Sequence, residues 1–208
     1  MEPTDQADYY SQLRIGPDEP MAWIEVPKIN TKLPILHGTN DETLDWNAGH
    51  LYGSSLPVGG ESTHSIIVAH SGRPNARLFT DLIKLKTGDV FVTQTLGERM
   101  YYQVDNIEVV ETVYFGDALK PVEGKDYATL MTCTPTGINS HRLLIRGERI
   151  PNPEEDGSKD LATIAPGPGS PWWALAVLGA PTAAWLLLGA VDGRQIRRLV
   201  DSEPKETL

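Results

Sequence analysis

The stretch TLMTCTPTGINSHRLLIRGERI, residues 129–150, reads as two strands around one loop. Thr129 to Thr132 mix β-branched and apolar side chains, Pro135 and Gly137 punctuate their end, and Leu143 to Ile145 resume an extended run. Cys133, the one cysteine of the chain, falls at the mouth of the first strand, and Arg142 opens the second nine positions later. A hairpin would therefore bring a thiol beside a guanidinium. A lone cysteine has two readings: a small buried hydrophobe, or a reactive group at a strand rim. Its place at the rim argues for the second without deciding it.

Outward from this hairpin the chain continues to read as strands. MAWIEVPKI (21–29) alternates over Trp23 to Val26, HSIIVAH (64–70) is a continuous apolar run, and DVFVTQTL and MYYQVDNIEVVE are successive strands parted by Gly97. Two stretches read as helix: residues 5–14, closed by Gly16 and Pro17, and NARLFTDLIKL (75–85), where Leu78, Leu82 and Leu85 keep helical spacing behind Pro74 and Asn75. Six to eight strands with so little helix point to a β-barrel or sandwich spanning about residues 21–150.

Length and charge narrow the function. The chain has 208 residues, 18 basic and 28 acidic side chains and a net charge of -10, so nucleic acid is not an expected partner. Residues 151–171 are rich in Pro, Gly and acid and read as a linker. WWALAVLGAPTAAWLLLGAV (172–191) then runs 20 residues without a charge, which as a helix spans roughly 30 Å, the thickness of a bilayer's hydrocarbon core. Trp172 and Trp173 stand at one end and Arg194, Arg197 and Arg198 at the other. That asymmetry places the tail (192–208) in the cytoplasm and everything before the span outside it, at the cell membrane. Export of the upstream domain calls for an N-terminal apolar segment, which residues 1–20 lack, so that segment is expected upstream of Met1.

A cysteine nucleophile needs a proton acceptor, and the candidates are His37, His50, His64, His70 and His141. His70 ends the apolar run SIIVA and opens a loop, a second strand mouth; His64 begins the same strand and belongs at its other end. His37 and His50 read as loop or structural histidines. Arg142 is the candidate for stabilising an oxyanion, since Arg146 shares its face but lies about 13 Å further from the loop at about 3.3 Å per residue. No metal-ligand spacing such as C-x-x-C occurs, and no cofactor is expected.

With these residues in place, TLMTCTPTGINSHRLLIRGERI resembles the TLxTC strand and C-T-P-x-G-x-N-[ST]-H-R loop of class C, pilus-assembling sortases. HSGRPNARLFTDLIKLKTGDVF is similar to their histidine segment, and WIEVPKINTKLPILHGT and GHLYGSSLPVGGESTHSIIVAHSG continue the likeness over about residues 20–150. The resemblance implies a mainly β, closed sortase barrel with one or two short helices, followed by a C-terminal transmembrane helix. It makes Cys133 the nucleophile, His70 the general acid and base, and Arg142 the stabiliser of the substrate carbonyl. It further implies cleavage of an LPxTG-like sorting signal between Thr and Gly and transfer of the acyl group to a pilin lysine. Two alternatives stand beside this: a housekeeping sortase that anchors surface proteins to cell-wall peptide, and a catalytically silent, membrane-tethered binding domain. The Asp-Pro-aromatic lid usual in the class does not occur in residues 1–20 and is expected upstream.

Overall fold

The computed structural model describes residues 3–14, 16, 19–111 and 116–153. Two short α-helices, α1 (Pro3–Ser11) and α2 (Asp41–Leu44), accompany eight strands: β1 (Ala22–Val26), β2 (Thr31–His37), β3 (Ala48–His50), β4 (Thr63–Val68), β5 (Val90–Thr95), β6 (Glu98–Glu111), β7 (Asp126–Thr134) and β8 (His141–Ile150). The strands close into a barrel in the order β1-β2-β3-β4-β7-β8-β6-β5, with β5 pairing back onto β1. Closure leaves no open sheet edge, the solution expected of a short-stranded β domain. The linker from residue 154, the apolar segment 172–191 and the tail 192–208 lie outside the described residues. Among the described residues no helix is long and apolar enough to cross a membrane.

The alternation read in Trp23 to Val26 takes effect in β1, where Ala22, Ile24 and Val26 enter the core while Trp23 stays exposed. The run SIIVA behaves differently because β4 is parallel to β7, with Thr63 to Val68 facing Asp126 to Met131. Strands of that kind are covered on both faces and favour near-continuous apolar runs over alternation. Ile67, Ala69, Ala128, Leu130, Leu143 and Ile145 fill the barrel interior. Ile66, Met131 and Leu144 form a second cluster, with Leu51, Val68, Val110, Ala118 and Leu119 around it. The β4-β7-β8 wall thus carries apolar side chains inside and out.

The helix expected over residues 75–85 does not form. Thr80, Leu82, Lys84 and Leu85 donate their amides three residues back, to Arg77, Phe79, Asp81 and Leu82, and only Leu82–Lys84 closes as a 3-10 helix. Leu78, Leu82 and Leu85 are buried as their spacing suggested, but Phe79 between them is buried too, and Leu78 stands at φ 41°. A positive φ at a leucine is incompatible with α-helix. Tight turns with i, i+3 periodicity bury the same leucines while leaving the amide of Phe79 free for the carbonyl of His70, at 3.0 Å.

The expected N-terminal helix does form, and Tyr9 is its anchor. Its hydroxyl lies 3.0 Å from both Nδ1 and the carbonyl of His50 and accepts from the Gly38 amide at 2.9 Å. The rings of His37, His50, Tyr10 and Tyr52 surround it. His50 is fully buried, and its Nε2 is 2.8 Å from the Ser55 carbonyl. Donation there leaves Nδ1 an acceptor that shares the single Tyr9 hydroxyl proton with the His50 carbonyl. Burial pushes the His50 imidazole down to about 4, the bond to Ser55 opposing it, and raises the Tyr9 phenol to about 12. Both groups are neutral near pH 7.

An unfolded histidine protonates near 6.5, so between about pH 6.5 and pH 4 the unfolded chain binds a proton that folded His50 refuses. Stability therefore falls as pH drops through that window, by roughly 3 kcal/mol for His50 alone. Burial lowers His64 as well, which acts in the same direction. Urea unfolding at a series of pH values should show this slope; stability constant or rising toward pH 4 would contradict it. Tyr9→Phe should cost about 1–3 kcal/mol at pH 7, because it strands the Gly38 amide and His50 Nδ1.

Candidate active site

The hairpin of β7 and β8 places its two functional candidates by register alone. Cys133 is directly opposite Arg142, and Thr134 opposite His141. Opposed residues of an antiparallel pair project from the same face with Cα atoms about 4.5–5.5 Å apart. Leu130 points into the barrel and Met131 into the outer cluster, so period-two alternation carries Cys133 to the outer face. Arg142 shares that face with Leu144. The two residues stand side by side on the face that carries Ile66, Met131 and Leu144.

His70 reaches the same place from the other side of β7. The ladder of β4 and β7 ends at Val68 opposite Met131, yet the chain stays alongside. The Ala69 amide donates to the Met131 carbonyl at 3.2 Å, the Thr132 hydroxyl to the Ala69 carbonyl at 2.8 Å, and the Ser71 hydroxyl to the Cys133 carbonyl at 2.7 Å. Residue 70, two beyond Val68, is therefore level with residue 133, two beyond Met131. Register thus sets Cys133 on β7 between residue 70, just past the end of β4, and Arg142 at the start of β8.

The electrostatics of the three differ. His70 is half-buried, and its Nε2 is shielded from solvent, with no hydrogen-bond partner among the described residues. Burial first and the Arg73 guanidinium second push its imidazole below the usual histidine value, while Asp41 and Asp45 pull the other way. Neutral His70 can accept a proton. Arg142 donates from Nη1 to the carbonyls of Asn139 and His141, both at 3.1 Å, and forms no ion pair among the described residues. Arg146, its competitor on the same strand, is taken up by Asp105 through three contacts of 2.7–3.2 Å and lies 4.4 Å over the Tyr127 ring. Asp105 sits at the register shift of β6. Arg146 is thus a structural ion pair and Arg142 an available cation.

The other histidines are held elsewhere. His64 is buried at the start of β4, with Thr129 Oγ1 at 2.7 Å and the Lys120 carbonyl at 3.1 Å. His37 lies 2.7 Å from the Gln12 carbonyl, and His50 is bound to Tyr9. His141 pairs opposite Thr134, on the face away from Cys133, with the Ser140 hydroxyl at 2.8 Å. Sequence reasoning did not single out the outer apolar patch, though the unbroken run SIIVA carried the signal. It also passed over Asp41, at the start of α2, and Asp45, just past its end, whose charges act on His70.

A thiol between a neutral imidazole and a cationic donor is equipped for acyl transfer: nucleophile, proton carrier and oxyanion partner. Comparison with known proteins agrees. A family model described as a sortase domain matches residues 24–150. The crystal structure of sortase C1 from Streptococcus agalactiae is 53% identical with a TM-score of 0.71, over 73% of this chain and 78% of that one. A pilus-related sortase C of Group B Streptococcus is 51% identical with a TM-score of 0.64, over 70% and 79%. Sortase A of Bacillus anthracis is 26% identical over 129 residues, 61% of this chain, and the match spans 58% of that relative's length. With its closed barrel and a family model that covers it from residue 24 to its end, the chain belongs to the sortase family.

Proposed function

We propose that this chain is a pilus-class cysteine transpeptidase that uses Cys133, His70 and Arg142 on an LPxTG-like sorting signal. The observation that carries this reading is the cross-strand pair of Cys133 and Arg142, with His70 level with the thiol on the neighbouring strand end. As Sγ attacks the threonine carbonyl, neutral His70 accepts the thiol proton and Arg142 faces the developing oxyanion. Collapse breaks the Thr–Gly C–N bond, and the leaving amine takes its proton from His70. A thioester on Cys133 remains. The ε-amine of a pilin lysine then attacks it, gives a proton to His70, and leaves as an isopeptide while the thiol is regenerated.

Two further observations fit. Buried packing of Ile66, Met131 and Leu144 on the outer face braces the strand ends that carry Cys133 and Arg142. The likeness to a pilus-related sortase C favours a protein lysine as acceptor over a cell-wall amine. Residues 172–191 and the arginines that follow support a membrane anchor that holds the catalytic domain outside the cytoplasm.

In the full chain, Cys133→Ala should abolish cleavage of an LPxTG peptide with unchanged circular dichroism. Wild-type cleavage in that variant would end the thiol mechanism. His70→Ala and Arg142→Ala should each lower kcat/KM by about 100-fold or more. Arg146→Ala should instead lower the melting temperature and leave turnover near that of the parent, because its guanidinium serves Asp105. The roles of the two arginines would be reversed if Arg146→Ala proved the more damaging to chemistry at equal stability. Supplying either pilin or a cell-wall peptide as acceptor separates the pilus and housekeeping readings.

A further inference from the structure

The turn that follows β4 is fastened residue by residue. The His70 carbonyl accepts from the Phe79 amide at 3.0 Å, and Phe79 is fully buried in the barrel core. The Ser71 hydroxyl donates to the Cys133 carbonyl at 2.7 Å. Gly72 donates its amide to Thr80 Oγ1 at 2.9 Å and stands at φ +72°, with its α-carbon so near the β7-β8 loop that a Cβ there would collide with Thr136 Cγ2. The first of these ties His70 to the core. The second ties it to the strand that bears the thiol, and the third seats the turn against the loop leading to Arg142.

These ties matter because the ordinary ladder has already stopped. The last backbone bond between the two strands runs from the Ala69 amide to the Met131 carbonyl. Beyond it the imidazole and the thiol belong to chain segments 63 positions apart, and the Thr132 and Ser71 hydroxyls are the side chains that bridge them. The Thr132 bond ends at Ala69, one residue short of the imidazole. The Ser71 bond joins the residue after His70 to the main chain of Cys133 itself. Serine suits this post: its short side chain loses little rotamer freedom on being fixed, and its hydroxyl supplies the single donor that the carbonyl needs.

We propose that Ser71 is a positioning residue that sets the His70–Cys133 separation through the Cys133 carbonyl, with Gly72 allowing the close approach to Thr136. This rests on the acyl-transfer reading above. Proton transfer between the two groups depends steeply on their distance, and a misplacement of about 1 Å can cost on the order of 100-fold in rate. Loss of one hydrogen bond at the edge of the site permits a smaller displacement. About 10-fold in kcat is expected, the equivalent of a typical single hydrogen bond.

The test compares the full chain with its Ser71→Ala and Ser71→Thr variants, using an LPxTG peptide for turnover and iodoacetamide for alkylation of Cys133 across pH. Arg73, Asp41 and Asp45, which flank His70, are the same in all three. Ser71→Ala should lower kcat about 10-fold with KM and melting temperature little changed, and should move the midpoint of the alkylation profile. Ser71→Thr, which keeps the donor, should restore both. Wild-type kcat and an unmoved alkylation midpoint in Ser71→Ala would overturn the proposal. So would a Ser71→Thr variant as impaired as Ser71→Ala with an equal fall in melting temperature, which marks a purely structural role. A wild-type chain that turns over no sorting peptide, yet shows an alkylation midpoint that depends on His70 and moves in Ser71→Ala, would overturn the substrate reading and support the positioning.

Discussion

Everything functional in this barrel depends on how β7 is paired on its two sides, parallel to β4 and antiparallel to β8. The two ladders fix the level of residue 133 against residues 70 and 142, and alternation fixes the face from which its side chain projects. A slip of one residue in either ladder would turn Cys133 inward or set it against a neighbour of Arg142 rather than Arg142 itself. The inward positions hold Ala128, Leu130, Leu143 and Ile145 in a filled core. Burying polar groups in their place would be strongly unfavourable, so the core holds the register and the register holds the site.

The same arrangement explains what surrounds the site. The outer cluster of the β4-β7-β8 wall is itself buried, packed under Leu51, Val68, Val110, Ala118 and Leu119, so the strand ends that carry the three candidates are braced on both faces. Several polar groups buried in the barrel are held by specific partners. His64 is held by Thr129 and the Lys120 carbonyl, His50 by Tyr9 and the Ser55 carbonyl, Arg146 by Asp105. The His70 Nε2, like the Ser65 hydroxyl, is shielded and has no hydrogen-bond partner among the described residues. An atom of that kind is costly in a purely structural setting and useful where a proton must be taken up and handed on.

How far the chain could be read in advance follows from the range over which each signal acts. The hairpin of residues 129–150 was legible because its information is local: two extended runs, a loop with Pro and Gly, and a cysteine and an arginine at the two mouths. His70 was legible by its position at the end of SIIVA, and Arg146 was set aside for its distance, to which the structure adds the Asp105 ion pair. The turn at 75–85 was misread because leucines three and four apart serve an α-helix and a series of 3-10 turns equally well. Only the burial of Phe79 and the amide it offers to His70 separate the two. Ser71 and Tyr9 carried no local signal, since each acts on a residue dozens of positions away. The family resemblance supplied the roles proposed for Cys133, His70 and Arg142; register and hydrogen bonding supply the reason that the three residues stand at neighbouring strand ends.

The most direct measurement is the mass of the intact chain after brief exposure to an LPxTG peptide and an acid quench. Attack by Cys133 should add the peptide up to and including its threonine, less one water, with the addition mapped to the fragment that contains Cys133 and released by hydroxylamine. Addition at any other residue, or steady cleavage of the peptide with no adduct on a chain whose deacylation is slowed by withholding the acceptor, would contradict a thioester at Cys133.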